Sequence, residues 1–306
     1  MKRIGFFDSG VGGISVLHEG MKRIEEAEFL YYADTEHVPY GTKSRKEIAG
    51  YVDKAVEFLA EQGIDALVVA CNTATSVSVR KLRSRYEFPV VGMEPAVKLA
   101  LKQEKQKRIL VTATDVTVHG EKLRLLLERW DKLGQADLLG LGGLVRFAEQ
   151  NEFNGERVLS YLRSQLEGKN LEEYGAIVFG CTHFGYFRDS FEEIFPKGMR
   201  YVDGNEGTIR RLMDLLGILK AEEDDRKREG TAPDEETMNK RLRQNMTRVS
   251  YYESGREVTS PSGLAWIKEL HSRLDRLSRA ALEEDTQKQR LGAEVSLNAP
   301  GKNRPK

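Results

Sequence analysis

Asp65-Ala-Leu-Val-Val-Ala-Cys71-Asn72-Thr73-Ala74 and Gly175-Ala-Ile-Val-Phe-Gly-Cys181-Thr182-His183-Phe184 decide how this chain is read. Each is a short apolar run, a small residue, a cysteine, two polar residues and then an amphipathic stretch. Short runs rich in Val and Ile are the signature of strands buried on both faces of a parallel sheet. The polar residues after each cysteine suit a helix start, where thiol pKa values fall from about 8.5. Each cysteine therefore belongs at the carboxyl end of a strand, where open α/β folds build their active sites. The chain has two cysteines, and both fall at the same point of the repeated pattern, about one domain length apart.

Working outward, residues 3–7 read as a buried strand ending at Asp8. The loop Asp8-Ser9-Gly10-Val11-Gly12-Gly13 then leads into a helix from Ile14 to about Arg23. Its glycines allow a tight turn and the close approach of a ligand, and free N–H groups at the helix start attract a carboxylate or phosphate. The spacing is neither a P-loop nor a dinucleotide fingerprint, and an ordinary strand-to-helix turn explains it equally well. Further strands are expected over 28–33, before Asp34 and the loop Pro39-Tyr40-Gly41, and over 89–92, 109–112, 137–141 and 200–203. Helices are expected over 44–62, opened by the capping-box pair Ser44 and Glu47, and from Pro95, where Glu94 favours the helix start. Others are expected over 118–133, 144–149 and 155–168, from the residues after Cys181 to about Phe195, and over 206–216.

Strands alternate with helices throughout, which implies mostly parallel sheets, and the pattern restarts near residue 96. The expected fold is α/β, with two pseudo-symmetric lobes, one cysteine in each, and the active site in the cleft between them. Residues 1–95 with 205–219 and 247–281 make the first lobe, and 96–204 make the second. The charge-dense stretch 220–246 reads as a mobile, solvated insertion. Residues 247–252 read as a strand. Leu264, Ile267, Leu270, Leu274 and Leu277 recur at helical spacing after Ser260-Pro261, so a helix to about Ala281 packs back on the first lobe. The polar tail 282–306 reads as disordered.

With 306 residues, 40% hydrophobic and 31% charged, the chain can bury a substantial core. Lys+Arg and Asp+Glu each number 48, for a formal net charge of zero, which argues against nucleic-acid binding driven by overall charge. No run approaches the roughly 18 apolar residues of a membrane helix. The N-terminal apolar run stops at Asp8, so it reads as a first strand and not a signal peptide. A cytoplasmic location follows as the expectation, with reduced thiols and no disulfide between Cys71 and Cys181.

Four readings of the cysteines compete. A metal site wants three or four ligands at fixed spacing, and one cysteine per loop with one adjacent His183 does not supply it. A cysteine hydrolase built on Cys181 and His183 leaves Cys71 idle. Two inert buried cysteines are the ordinary case for isolated thiols. If the lobes face each other, however, the two thiols can flank one substrate carbon. One thiolate takes a proton from one face while the other thiol gives a proton to the opposite face, inverting a stereocentre.

Asp8-Ser9-Gly10-Val11-Gly12-Gly13, Pro39-Tyr40-Gly41, Cys71-Asn72-Thr73-Ala74 and Gly180-Cys181-Thr182-His183, in that order, resemble the glutamate racemases of the cofactor-independent aspartate/glutamate racemase superfamily. The likeness runs over roughly residues 3–217, and the 247–278 segment is similar to the C-terminal return of that family. It implies two α/β lobes around a central cleft and interconversion of L- and D-glutamate in the bacterial cytoplasm, supplying D-glutamate for peptidoglycan without pyridoxal phosphate or metal. It implies that Cys71 and Cys181 are the acid–base pair, with Asp8 assisting Cys71 and with His183 and Glu149 assisting Cys181. Substrate contacts are implied for Asp8, Ser9, Tyr40, Gly41, Asn72, Thr73, Thr114, Thr117, Thr182 and His183. Glutamate is the implied partner, with neither nucleic acid nor membrane, and a homodimer is an open expectation. An aspartate racemase and a non-catalytic acidic amino-acid binder are the alternatives. The chain departs from the family in Phe184-Gly185-Tyr186 after His183, in Val118-His119, and in the 220–246 insertion.

Overall fold

The computed structural model describes residues 1–219 and 233–297, with side chains as far as residue 281. Among the described residues, ten strands form two sheets. The first has the order β10-β9-β2-β1-β3-β4, from β1 (Lys2–Asp8), β2 (Ala27–Ala33), β3 (Ala66–Val69), β4 (Val90–Gly92), β9 (Val249–Glu253) and β10 (Arg256–Glu257). The second has the order β6-β5-β7-β8, from β5 (Arg108–Ala113), β6 (Ala136–Gly140), β7 (Tyr174–Phe179) and β8 (Arg200–Val202). Every pairing is parallel except the terminal β9–β10 hairpin.

The halves β2-β1-β3-β4 and β6-β5-β7-β8 share one strand order, so the repeat seen in the sequence is a repeat of topology. Cys71 follows β3 and Cys181 follows β7, the equivalent strands of the two lobes. The central strands bury Ile4, Phe6 and Phe7 in one lobe and Ile109, Leu110 and Val111 in the other. That two-faced burial is why these segments read as continuous apolar runs.

The main helices are α1 (Ile14–Arg23), α2 (Arg45–Glu61), α3 (Asn72–Arg85), α4 (Val97–Gln103), α5 (Asp115–Val118), α6 (Glu121–Trp130), α7 (Gly143–Glu149), α8 (Glu156–Gln165), α9 (Arg188–Ile194) and α10 (Asn205–Leu215). Helix α2 opens on the expected capping box. The Ser44 hydroxyl accepts from the Glu47 N–H at 3.3 Å, and the Glu47 carboxylate accepts from the Ser44 N–H at 2.9 Å. Glu94 lies ahead of the helix it was expected to start, and pairs with Lys122 at 3.1 Å.

Three expectations need correction. The 220–246 stretch is not one solvated insertion. Residues 220–232 lie outside the described residues, but Glu235–Asn245 is a helix capped by Asp234. The buried Asn245 amide donates to Met21 O at 2.9 Å and Ile24 O at 2.8 Å, satisfying end carbonyls of α1 that its own turns leave open. Helix follows where disorder was expected for 282–306: the Pro261–Leu297 helix runs through 282–297, and 298–306 fall outside the described residues.

The turn after Cys181 is the third correction. A 3₁₀ segment, Phe184–Phe187, precedes α9, because Phe184, Tyr186 and Phe187 are all buried together, and tighter i→i+3 bonds such as Phe184 N–H to Cys181 O at 3.1 Å hold them there. The C-terminal helix does pack on the first lobe, but it also reaches the second. Arg273 donates to Tyr186 O at 2.9 Å and forks onto Asp189 at 2.7 and 2.8 Å. Among the described residues no helix is long and apolar enough to cross a membrane.

Candidate active site

The turns after β1, β3, β5 and β7 converge from the two lobes, joined by α7. Asp8 ends β1 and is fully buried. Its Oδ1 accepts from the Gly10 N–H at 3.0 Å, and its Oδ2 accepts from the Thr182 hydroxyl, a residue of the other lobe, at 3.1 Å. Burial lifts the Asp8 carboxyl to about 6, while His183 and the Gly10 N–H pull it down.

Cys71 is the N-cap of α3, and its Sγ accepts from the Ala74 N–H at 3.4 Å. Its thiol reaches Ser9 Oγ at 3.6 Å. Burial pushes this thiol up to about 12, and the neighbouring Asp8 adds to the rise. The expected lowering at a helix start therefore does not hold for Cys71. One N–H at sulfur range does not offset lost hydration beside a carboxylate.

In the second lobe, Cys181 Sγ lies 3.6 Å from His183 Nδ1, and His183 Nε2 lies 2.7 Å from Glu149 Oε1. The same carboxylate oxygen accepts the Val11 N–H at 2.8 Å, tying α7 to the glycine loop of the first lobe. Burial disfavours charge on the His183 ring, but the Cys181 sulfur and the Glu149 carboxylate outweigh it and hold its pKa well above the ordinary value. A protonated His183 donates to both partners at once. The glycine loop is glycine because of this approach. A Cβ at Gly12 would collide with the His183 ring and the Thr182 hydroxyl, and one at Gly10 with the Glu149 carboxylate.

Thr73 Oγ1 meets Thr114 Oγ1 at 2.9 Å and Thr117 Oγ1 at 3.3 Å, closing a hydroxyl triangle between the lobes. Gly41 packs against Thr114, so close that a Cβ there would sit 3.0 Å from Thr114 Cβ. Asn72 is buried, and its Oδ1 has no hydrogen-bond partner among the described residues. Tyr40 is also buried, but its hydroxyl donates to Asp34 Oδ2 at 2.6 Å and so is engaged away from the other groups. All thirteen residues singled out in the sequence thus lie at or directly behind these converging turns.

Two further residues support the site. The buried Tyr31 hydroxyl donates to Gly10 O at 2.6 Å, fixing the loop whose N–H groups serve Asp8 and Glu149. Asp34 holds Tyr40 and accepts at 2.7 Å from the His37 ring. Asp34 carried a signal, since it follows β2 as Asp8 ends the adjacent β1, where Asp8 pairs with Ala33. Tyr31 carried none, because an aromatic in an apolar strand looks like core.

The lobes are shut around these groups. The cavity lined by Asn72, Met93, Cys181, Thr182, Asp203 and Gly204 offers only about 10 Å³, room for roughly one water. Met93–Ala96 and Asp203–Gly204 are the two chain crossings between the sheets. They are packed so closely that a Cβ at Gly204 would strike Glu94 O and Met93 Sδ.

A two-lobed fold of this topology with this site belongs to a known class. The chain is a member of the Asp/Glu/Hydantoin racemase family, whose model matches residues 15–212. Its relatives include glutamate racemases. That of Halothermothrix orenii is 52% identical over 214 residues, covering 70% of this chain and 85% of the relative. That of Lachnospira eligens is 41% identical over 280 residues, covering 90% and 98%. Among solved structures, Escherichia coli glutamate racemase in complex with L-glutamate and the activator UDP-MurNAc-Ala superposes with a TM-score of 0.65 at 32% identity, covering 71% of this chain and 82% of the other.

Proposed function

We propose that this protein, a glutamate racemase by kinship, interconverts L- and D-glutamate with Cys71 and Cys181 as one acid–base pair and no cofactor. The observation that carries the reading is the pairing of two buried thiols at equivalent strand ends of facing lobes, each with its own acidic partner system: Asp8 and Ser9 for Cys71, His183 and Glu149 for Cys181. In one direction a thiolate takes the Cα proton and the opposite thiol returns a proton to the other face. In the reverse direction the two exchange roles, which suits a repeated fold.

The Cα proton is a weak acid, so charge developing on the substrate carboxylate needs fixed donors in a water-poor site. The Thr73, Thr182 and Ser9 hydroxyls and the Asn72 amide are such donors. The unpartnered Asn72 Oδ1 is a ready acceptor for the substrate ammonium. Glutamate does not fit a cavity of about 10 Å³, so the lobes part at Thr73–Thr114, Asp8–Thr182 and Val11–Glu149 to admit it and close again for chemistry. Residues 1–95 with 205–219 and the C-terminal return form one moving body, and 96–204 the other. Cytoplasmic supply of D-glutamate for peptidoglycan, by a homodimer, completes the reading.

The test is solvent exchange. L- or D-glutamate incubated with the reduced protein in heavy water, with no cofactor added, should lose its Cα proton signal by NMR and invert in polarimetry. Neither exchange nor inversion would sink the reading, and faster turnover of L-aspartate would reassign the substrate. Cys71→Ala and Cys181→Ala should each abolish racemisation, and full activity in either refutes the two-thiol scheme.

A further inference from the structure

Two surface clefts between the lobes converge on the small cavity beside Cys181. One, of about 570 Å³, shares Asn72 and Met93 with that cavity and also reaches Thr117. The other, of about 280 Å³, runs beneath the C-terminal helix and shares Phe179, Gly185, Asp203 and Asn205 with it. Size does not decide between them as a route for a small amino acid, because both are far wider than the site they lead to. Charge does.

In the larger cleft, Lys122 and Glu94 pair at 3.1 Å and cancel. Arg45, Arg80, Arg83 and Arg129 remain against Glu121. Arg45, Arg80 and Arg129 are exposed, on α2, α3 and α6, so the positive charge comes from both lobes and faces the opening. In the smaller cleft, Arg23 pairs with Glu19 and, at 3.4 Å, with Glu206, while Arg188 pairs with Glu192 at 2.7 Å. Asp203 lies at its inner end. Glutamate carries two carboxylates and one ammonium, a net single negative charge, and a cleft of one sign with low-dielectric walls concentrates the opposite ion.

We propose that glutamate reaches the thiols through the arginine-lined cleft between α3 and α6, concentrated there by its positive field, and not through the cleft beneath the C-terminal helix. The inference rests on the glutamate reading above. Asn72 then links the route to the site, because it lines both the cleft and the inner cavity.

The test compares the wild type with Arg80→Glu/Arg129→Glu, with the milder Arg80→Gln/Arg129→Gln, and with Glu206→Lys on the other cleft. Racemisation of L-glutamate is followed by circular dichroism from low to high ionic strength, and the association rate of L-glutamate is measured by stopped-flow fluorescence on the same proteins. The charge-reversed double variant should lose about tenfold in kcat/KM and in association rate at low salt, with kcat within about twofold of the wild type. The wild-type decline of kcat/KM with added salt should flatten or reverse, the glutamine pair should fall between, and Glu206→Lys should match the wild type. Wild-type kcat/KM and salt slope in both double variants would overturn the proposal, as would a rise with Glu206→Lys or a fall in kcat with the salt slope intact. A wild type that binds L-glutamate without racemising it would refute the catalytic reading while the association-rate series still decides the route. A wild type that does not bind L-glutamate overturns both.

Discussion

Asp8→Asn should make the protein more stable and nearly inactive at once. Asp8 is fully buried, and its carboxyl is raised from 3.8 to about 6. An acid whose folded pKa lies above its unfolded value binds its proton more tightly when folded, so its ionisation opposes folding. The cost develops as pH rises from about 4 to about 6 and is complete above that. At about 1.4 kcal/mol per pKa unit it reaches ~3 kcal/mol at neutral pH.

Asparagine has the same shape. Its Oδ1 still accepts from the Gly10 N–H, and the Thr182 hydroxyl can turn to accept from its amide. The substitution should therefore recover about 1 to 3 kcal/mol at pH 7.5, with kcat lower by about a hundredfold or more for the loss of a proton-handling partner. Urea unfolding of the two proteins from pH 7.5 to 4 supplies the readout. The gap should narrow as the pH falls through 6 and close near 4, because only the wild type gains stability over that range. An Asp8→Asn protein less stable than the wild type at pH 7.5, with a pH-independent gap, would show that His183 and the surrounding donors hold the carboxylate favourably, and the argument from burial would be wrong.

Gly12→Ala should cut kcat by about a hundredfold, because the new methyl displaces the His183 ring, and should cost about 1 to 3 kcal/mol in urea unfolding. Tyr31→Phe strands the buried Gly10 carbonyl and should cost about 1 to 2 kcal/mol, with kcat reduced and KM nearly unchanged in steady-state assays; an unaffected kcat would show that the loop keeps its geometry alone. His271, buried against His18 at 2.9 Å and Tyr251 at 3.0 Å, has its pKa lowered to about 3. Its ring is neutral when folded and takes up a proton on unfolding below pH 6.5, so it removes stability as the pH falls, by about 2 kcal/mol between pH 6.5 and 5. His271→Leu should be less stable at pH 7 but lose less on acidification, as read from thermal unfolding across that range.

Much of the fold was legible in the sequence because the signals involved are local. Val/Ile-rich runs, the Ser44–Glu47 box and the glycine loop each specify a backbone conformation from within a few residues. The recurrence of one pattern around Cys71 and Cys181 reports a repeated strand order. The departures arose where partners are distant. Residues 235–245 look like solvated charge until Asn245 meets the carbonyl end of α1, more than 220 residues away. Tyr31 looks like core until its hydroxyl is seen on Gly10.

The thirteen candidate site residues, as residue types in order, were all present in the linear chain. Their electrostatic condition was not. Val11 meets Glu149 across 138 residues, and Asp8 meets Thr182 across 174. Those contacts join the lobes over buried groups, and burial raises the Asp8 carboxyl, against the Thr182 hydroxyl that favours its charge, and the Cys71 thiol, where a helix start alone would lower the thiol. The sequence by itself determined which groups can carry protons. Only the tertiary structure decided how tightly each one holds its proton, because burial and the charge of remote neighbours exist only once the two lobes have closed on each other.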